Sequence, residues 1–186
     1  IGIKPHSVKE LIKTCDGDDS VWDIYKNGIV MGINQVEPEK TAEKVSRYAP
    51  KNISELSSFV AAIRPGFKSN YKQYEKRLPF DYGIKSLDSI IQTKQFPYSY
   101  LLYQELVMAV LSYAGIETYK TYEIIKSIAK KRHDDIYKYK EVFIPLMSKR
   151  LKDVEGVSIK KAKETSDMIW RIVEDSAQYG FNASHS

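Results

Sequence analysis

Ser158-Ile159-Lys160-Lys161-Ala162-Lys163-Glu164-Thr165-Ser166-Asp167-Met168-Ile169-Trp170-Arg171-Ile172-Val173-Glu174-Asp175-Ser176-Ala177-Gln178-Tyr179-Gly180 reads as one long helix. Ile159, Ala162, Ile169, Ile172, Val173 and Ala177 fall on one face of a 3.6-residue repeat, with charged residues between them. Ser158 can cap the start and Gly180 can close the end. The same pattern recurs upstream. Ile53, Leu56, Val60 and Ile63 follow an Asn52 cap with Glu55 three residues on, as in a capping box, and Pro65 and Gly66 stop that helix. Leu106, Val107, Val110, Leu111 and Ala114 form a third stripe ended by Gly115. Ile136, Tyr139, Phe143, Met147 and Leu151 outline a fourth, in which Pro145 lacks an amide proton and predicts a kink or break near Ile144. Strand signals are short: Ile29, Val30, Ile33 and Val36 among glycines over Gly28–Val36, and the aromatic run Tyr98–Tyr103. The expected fold is mainly α, a multi-helix domain with one or two short strands. Pro79 to Tyr98, rich in breakers, reads as a surface connection. No internal repeat or clear linker divides the chain, so a single compact unit over 1–186 is expected.

Composition bounds the function. The 186 residues are 42% hydrophobic, enough for a sizeable core. Lys and Arg exceed Asp and Glu by 29 to 24, a net charge of +5 that suits an anionic partner without demanding one. Fourteen tyrosines offer rings that pack while leaving a hydroxyl for water or phosphate. The single cysteine, Cys15, excludes an internal disulfide and fits a reducing compartment. No apolar run approaches the roughly 20 residues needed to cross a bilayer, and no secretory signal opens the chain. The expected location is cytoplasmic, with no membrane partner.

Several chemistries are excluded by what is missing. The chain has no Gly-rich phosphate loop of the Walker type, no Cys or His cluster at metal spacing and no recognisable Ser, His, Asp set. Two carboxylate pairs occur, Asp18 with Asp19 and Asp134 with Asp135, and paired carboxylates are what a two-metal phosphoryl transferase needs. Both pairs, however, precede expected helices, where acids favour the positive end of the dipole. No catalytic residue and no metal ligand is assigned.

Three constellations carry possible chemistry. Lys126, Lys130, Lys131 and Arg132 form a basic run whose first two members, four apart, project from one helical face. They could be a solvated face or could neutralise phosphates. Tyr179, Asn182 and His185 combine a stacking ring with directed hydrogen-bonding groups. They could equally be a helix cap with Gly180 left-handed. Arg64, Gln35 and Gln104 are turn-fixing or backbone-satisfying residues that could also scaffold a pocket.

The motif Tyr179, Gly180, Phe181, Asn182, Ala183, Ser184, His185 and the segments Leu102 to Met108 and Ala62 to Gly66 together resemble the C-family replicative DNA polymerases, the DNA polymerase III alpha subunits of bacteria and their phages. Gly32 to Glu37 and the basic helix match in order and spacing too, so the resemblance covers nearly the whole chain. It implies the fingers domain of a template-directed nucleotidyltransferase, with 1–36 the palm-proximal segment and 37–186 the helical fingers core. By that register the third palm aspartate lies two residues before Ile1, so all three metal-binding carboxylates lie upstream. Starting at Ile1 rather than a methionine and ending in mid-motif, the chain is expected to be part of that enzyme and inactive alone. Mg2+ is implied for the intact polymerase and no cofactor for this part. The implied partners are primer-template DNA, dNTP, the palm and thumb domains, and a sliding clamp through other domains.

The resemblance also assigns roles. It places Lys126, Lys130, Lys131 and Arg132 at the nucleotide triphosphate, and Tyr179, Asn182 and His185 at the nucleotide or template. Lys126 stands at the second of two adjacent family arginines, Ile125 replaces the first, and Ala183 replaces a residue commonly lysine. A rival reading is a non-catalytic helical module that binds nucleic acid or protein, its motifs being caps.

Overall fold

The structure, a computed structural model, describes residues 7–92, 98, 100–178, 180 and 182. Among these, ten α-helices and one 3-10 turn account for the regular structure. They are α1 Val8–Asp16, α2 Asp19–Lys26, α3 Glu39–Tyr48, α4 Ile53–Ala62, the 3-10 turn Pro65–Phe67, α5 Tyr71–Glu75, α6 Lys85–Ile91, α7 Gln104–Tyr113, α8 Thr118–Ala129, α9 His133–Glu155 and α10 Ile159–Gln178. The fold is mainly α, as the periodicity requires.

The expected short strands do not form among the described residues. Over 28–36 the backbone turns repeatedly, because Gly28, Gly32 and Gln35 all adopt left-handed φ values of 69°, 77° and 67°. The amide of Ile33 donates to the Val30 carbonyl at 3.0 Å. Val30 and Val36 are buried at 2% and 1% exposure, so their spacing pins a loop rather than alternating across a sheet. In the aromatic run, Ser99 lies outside the described residues. Tyr100 to Tyr103 is buried and non-helical, with one isolated bridge at Tyr103 and a tight turn from the Leu102 amide to the Tyr100 carbonyl at 2.9 Å. Its aromatic and aliphatic side chains serve burial, with the Tyr100 ring 5.2 Å from Phe67 and 5.7 Å from Tyr74.

The chain divides after Ile63 into two compact units. In the first, Val45, Tyr48 and Phe59 are fully buried, with the last two rings stacked at 5.5 Å. Asn52 caps α4 as expected, its side chain accepting from the Glu55 amide at 2.8 Å, while the Glu55 carboxylate accepts from the Lys51 amide at 3.0 Å. Asp18 caps α2. Trp22 donates its indole proton to the Cys15 carbonyl at 2.9 Å, and Asp16 accepts from the Ile53 amide at 2.8 Å, which ties the end of α1 to the start of α4.

The second unit is organised by α7 to α10. Helix α10 buries Ala162, Ser166, Ile169, Trp170, Val173 and Ala177. Trp170 is the largest of these, and full burial of such a side chain stabilises by roughly 1.5–3 kcal/mol. Ser158 caps the helix, accepting from the Lys161 amide at 3.3 Å. Of the kink or break expected near Ile144, the break does not occur: helix α9 continues through Pro145. Pro145 is exposed, so the carbonyl that loses its partner stands near water, and the burial of Phe143, Met147 and Leu151 offsets a cost of about 3 kcal/mol. At the end of α9, Glu155 accepts from the Ser86 amide at 3.0 Å, capping α6 from a distant part of the chain.

Candidate nucleic-acid interface

Helices α9 and α10 are joined by three residues, Gly156 to Ser158, with Gly156 left-handed at φ 65°. They therefore run antiparallel. Ser148 hydrogen-bonds Ser166 at 3.1 Å, and the Phe143 ring lies 5.2 Å from Trp170. Ten residues back from Phe143 is His133, at the start of α9; ten on from Trp170 is Gly180. Both advances cover about 15 Å of helix, so the turn before α9 and the segment after α10 lie at the same end of the bundle. Helices α7 and α8 pack together through the short connection Ala114 to Glu117, with Gly115 at φ 105°. That hairpin returns the last turn of α8 to the level of Gln104, the first residue of α7.

Gln104 is bound to the same place directly. Its side-chain amide donates to the Gly180 carbonyl at 3.4 Å. A Cβ at position 180 would meet Gln104 Cγ at 2.8 Å and the Ser176 carbonyl at 3.3 Å. Glycine is thus required there by close approach. The Gly180 amide donates to the Ala177 carbonyl at 3.5 Å. Asn182, two residues on, is half-buried. Tyr179 and His185 lie outside the described residues.

The basic run forms the α8–α9 turn. Lys126 is in the last turn of α8, and Lys130 is its C-cap, donating its amide to the Lys126 carbonyl at 3.1 Å. Lys131 is left-handed at φ 53° and ends the helix, and Arg132 is the N-cap residue of α9. Only Lys126 and Lys130 therefore continue one helical face; Lys131 and Arg132 belong to the turn. All four side chains are exposed. Cations at the end of α8 also suit its negative dipole end, and Asp134 and Asp135 suit the positive start of α9. Ile125 is 1% exposed, and Ile124 and Ile128 of the same helix are buried as well.

Arg64 is the N-cap residue of the Pro65–Phe67 turn, its carbonyl accepting from the Phe67 amide at 3.1 Å, and that turn packs against α10. Gln35 is exposed in the turn that ends the 28–36 loop of the first unit. The structure thus brings Gln104, Lys126, Lys130, Lys131, Arg132 and Asn182 to one end of the second unit, places Arg64 on a turn against α10, and leaves Gln35 in the first unit. Among the described residues no group of three or more His, Cys, Asp or Glu could hold a metal ion, and no helix is long and apolar enough to cross a membrane. Two exposed tyrosines on α8, Tyr119 and Tyr122, were not singled out from sequence, although they share the helical spacing of Lys126 and Lys130.

The family model described as the bacterial DNA polymerase III alpha subunit finger domain matches residues 4–151. DNA polymerase III subunit alpha of Streptococcus pyogenes is 27% identical over 171 residues, covering 91% of this chain and 16% of that protein. The corresponding subunit of Thermotoga maritima is 27% identical over 177 residues, covering 91% and 18%. That of Neisseria meningitidis serogroup A is 25% identical over 173 residues, covering 91% and 14%. The chain spans about one-sixth of the length of the curated relatives it matches.

Proposed function

This chain belongs to the finger-domain family of bacterial DNA polymerase III alpha subunits, and we propose that it forms the fingers of a template-directed DNA polymerase, contacting incoming dNTP and template DNA. The family match across residues 4–151 carries this reading. The gathering of a polar amide, four cations and Asn182 at one end of the second unit supports it. Lys126 is proposed as the main cation for the triphosphate, with Lys130, Lys131 and Arg132 extending the positive field. Tyr179, Asn182 and His185 are assigned to base and template, and Gln104 holds that segment through Gly180. Arg64 is proposed as a scaffold residue on its turn; Gln35 rests on the resemblance alone.

The reaction of the intact enzyme is proposed to be attack of a primer 3′-hydroxyl on the dNTP with release of pyrophosphate. Mg2+ would serve that reaction, but the described residues of this chain do not fit it. Asp18 is engaged as the cap of α2, and Asp19, Asp134 and Asp135 stand in the first turns of helices, without a third carboxylate gathered near either pair. What this chain contributes is electrostatic positioning, in which fixed cations favour the charge that builds on the phosphates. The carboxylates are assigned to the palm, outside the chain, so the isolated chain is expected to incorporate no nucleotide. The 1–36 segment is proposed to adjoin the palm and 37–186 to form the fingers core, with the thumb, and through other domains a sliding clamp, as further partners in the cytoplasm.

Photo-crosslinking tests the assignment. A polymerase carrying this chain, irradiated with an azido-dNTP opposite its templating base, should be labelled within 104–132 or 176–186. Label confined to other segments would overturn the site.

A further inference from the structure

We propose that the outer face of α8 is a track for single-stranded nucleic acid, running from Tyr119 and Tyr122 to Lys126 and Lys130; that the strand is template DNA rests on the function proposed above. Helix α8 buries Thr121, Ile124, Ile125, Ser127 and Ile128 on one side. On the other, Tyr119 is 69% exposed and Tyr122 55% exposed, and Lys126 and Lys130 are exposed as well. The steps from 119 to 122, 126 and 130 are three, four and four residues, which keeps all four side chains within an arc of about 80° at 3.6 residues per turn. The stripe is about 16 Å long at 1.5 Å per residue.

Its composition sorts along its length. At the start are two aromatic rings; at the end are two cations that adjoin Lys131, Arg132 and the end of the bundle where Gln104 holds Gly180. Aromatic faces stack on any base and cations follow the phosphate backbone, so this order fits a single strand approaching that end. The Tyr119 ring is held in place. Its hydroxyl donates to Glu117 at 2.8 Å, Lys120 pairs with the same carboxylate at 2.6 Å, and the Lys120 ammonium lies 5.3 Å from the ring centroid. Glu123 lies on the same face and opposes phosphate. Even so, residues 117–132 hold five Lys and Arg against two Glu, a net +3 of the chain's +5, which favours a polyanion over an apolar protein partner.

Fluorescence anisotropy with a labelled thymidine 12-mer tests the track on the intact chain. Tyr119→Ala and Tyr122→Ala should each weaken binding at least about fivefold, as loss of one base stack implies, while Tyr119→Phe and Tyr122→Phe should keep it. The salt dependence should be unchanged in the tyrosine variants and shallower by about 0.7 in log–log slope for Lys130→Ala. The proposal is overturned if the wild-type chain does not bind the oligonucleotide, or if both alanine variants bind as wild type. It is also overturned if they bind as wild type but associate less with the rest of the polymerase, which would assign the face to a protein neighbour. Any of these results leaves the crosslinking test of the nucleotide site standing, and absence of crosslinks would not by itself restore oligonucleotide affinity to the tyrosine variants.

Discussion

Lys126→Ala removes one exposed ammonium from the last turn of α8 and little else. Lysine at a helix end gains roughly 0.3–1 kcal/mol from the dipole, and alanine recovers part of this through its higher helix propensity, so the melting temperature should barely move. Function should move more. If Lys126 reaches a triphosphate oxygen, its loss removes a charged hydrogen bond of about 1.5–3 kcal/mol, which is a factor of roughly 10 to 150 in nucleotide use. Single-turnover incorporation by the parent enzyme, with dNTP varied at saturating primer-template, reads this as a raised apparent dissociation constant for dNTP or a lowered maximal rate. Affinity for primer-template should fall less than nucleotide use, because the DNA loses only one of several phosphate contacts. Lys126→Arg should be tolerated or improve incorporation, because a guanidinium fork matches phosphate oxygens. The reasoning is refuted if alanine leaves nucleotide use unchanged while weakening DNA affinity, for the basic turn would then serve the backbone alone.

Ile125→Arg, which restores the residue of the resembled family, should not restore a triphosphate contact in the isolated chain. Ile125 is 1% exposed, so the guanidinium would be buried in the core, at a cost on the order of 3 kcal/mol visible in urea unfolding; an unchanged midpoint would contradict that burial. Gly180→Ala should destabilise by roughly 1–3 kcal/mol through its clash with Gln104. In a double-mutant cycle Gln104→Ala should relieve most of that loss, and strict additivity would refute the contact. Hydrogen bonds from the Ser86 hydroxyl and amide hold the Glu155 carboxyl below its usual range. A depressed carboxylate contributes stability that is present above its unfolded pKa and lost as pH falls through the folded one. The melting difference between wild type and Glu155→Gln should therefore be largest near neutrality and shrink in acid, and a difference independent of pH would count against the cap.

Sequence by itself determined several local elements, but not the stretch from Pro79 to Tyr98, which reads as a surface connection and instead holds α6 with Tyr82, Ile84, Leu87 and Ile91 buried. The Asn52 and Ser158 caps, the glycine that ends α7 and the stripes of α7, α9 and α10 depend on residues within a few positions of one another, and helix periodicity displays such short-range physics directly; in α4, by contrast, the structure buries Ser58, Phe59, Ala61 and Ala62, while Ile53 is exposed and Leu56, Val60 and Ile63 are half-buried. The motif order carried the family, because it is a property of the chain alone. Other features depended on partners far away. Whether Val30 and Val36 alternate in a strand or pin a loop is decided by three left-handed residues, one of them a glutamine. Pro145 breaks a helix only where packing cannot offset its lost hydrogen bond, and Phe143 and Met147 offset it here. Gly180 reads from sequence as the close of a helix, and only the tertiary structure shows that its missing Cβ also leaves room for Gln104, 76 positions away. Adjacent Ile125 and Lys126 read alike as members of one aligned pair, yet a helix advances 100° per residue. Only the position of α10 and its neighbours settles that the first faces the core and the second the solvent.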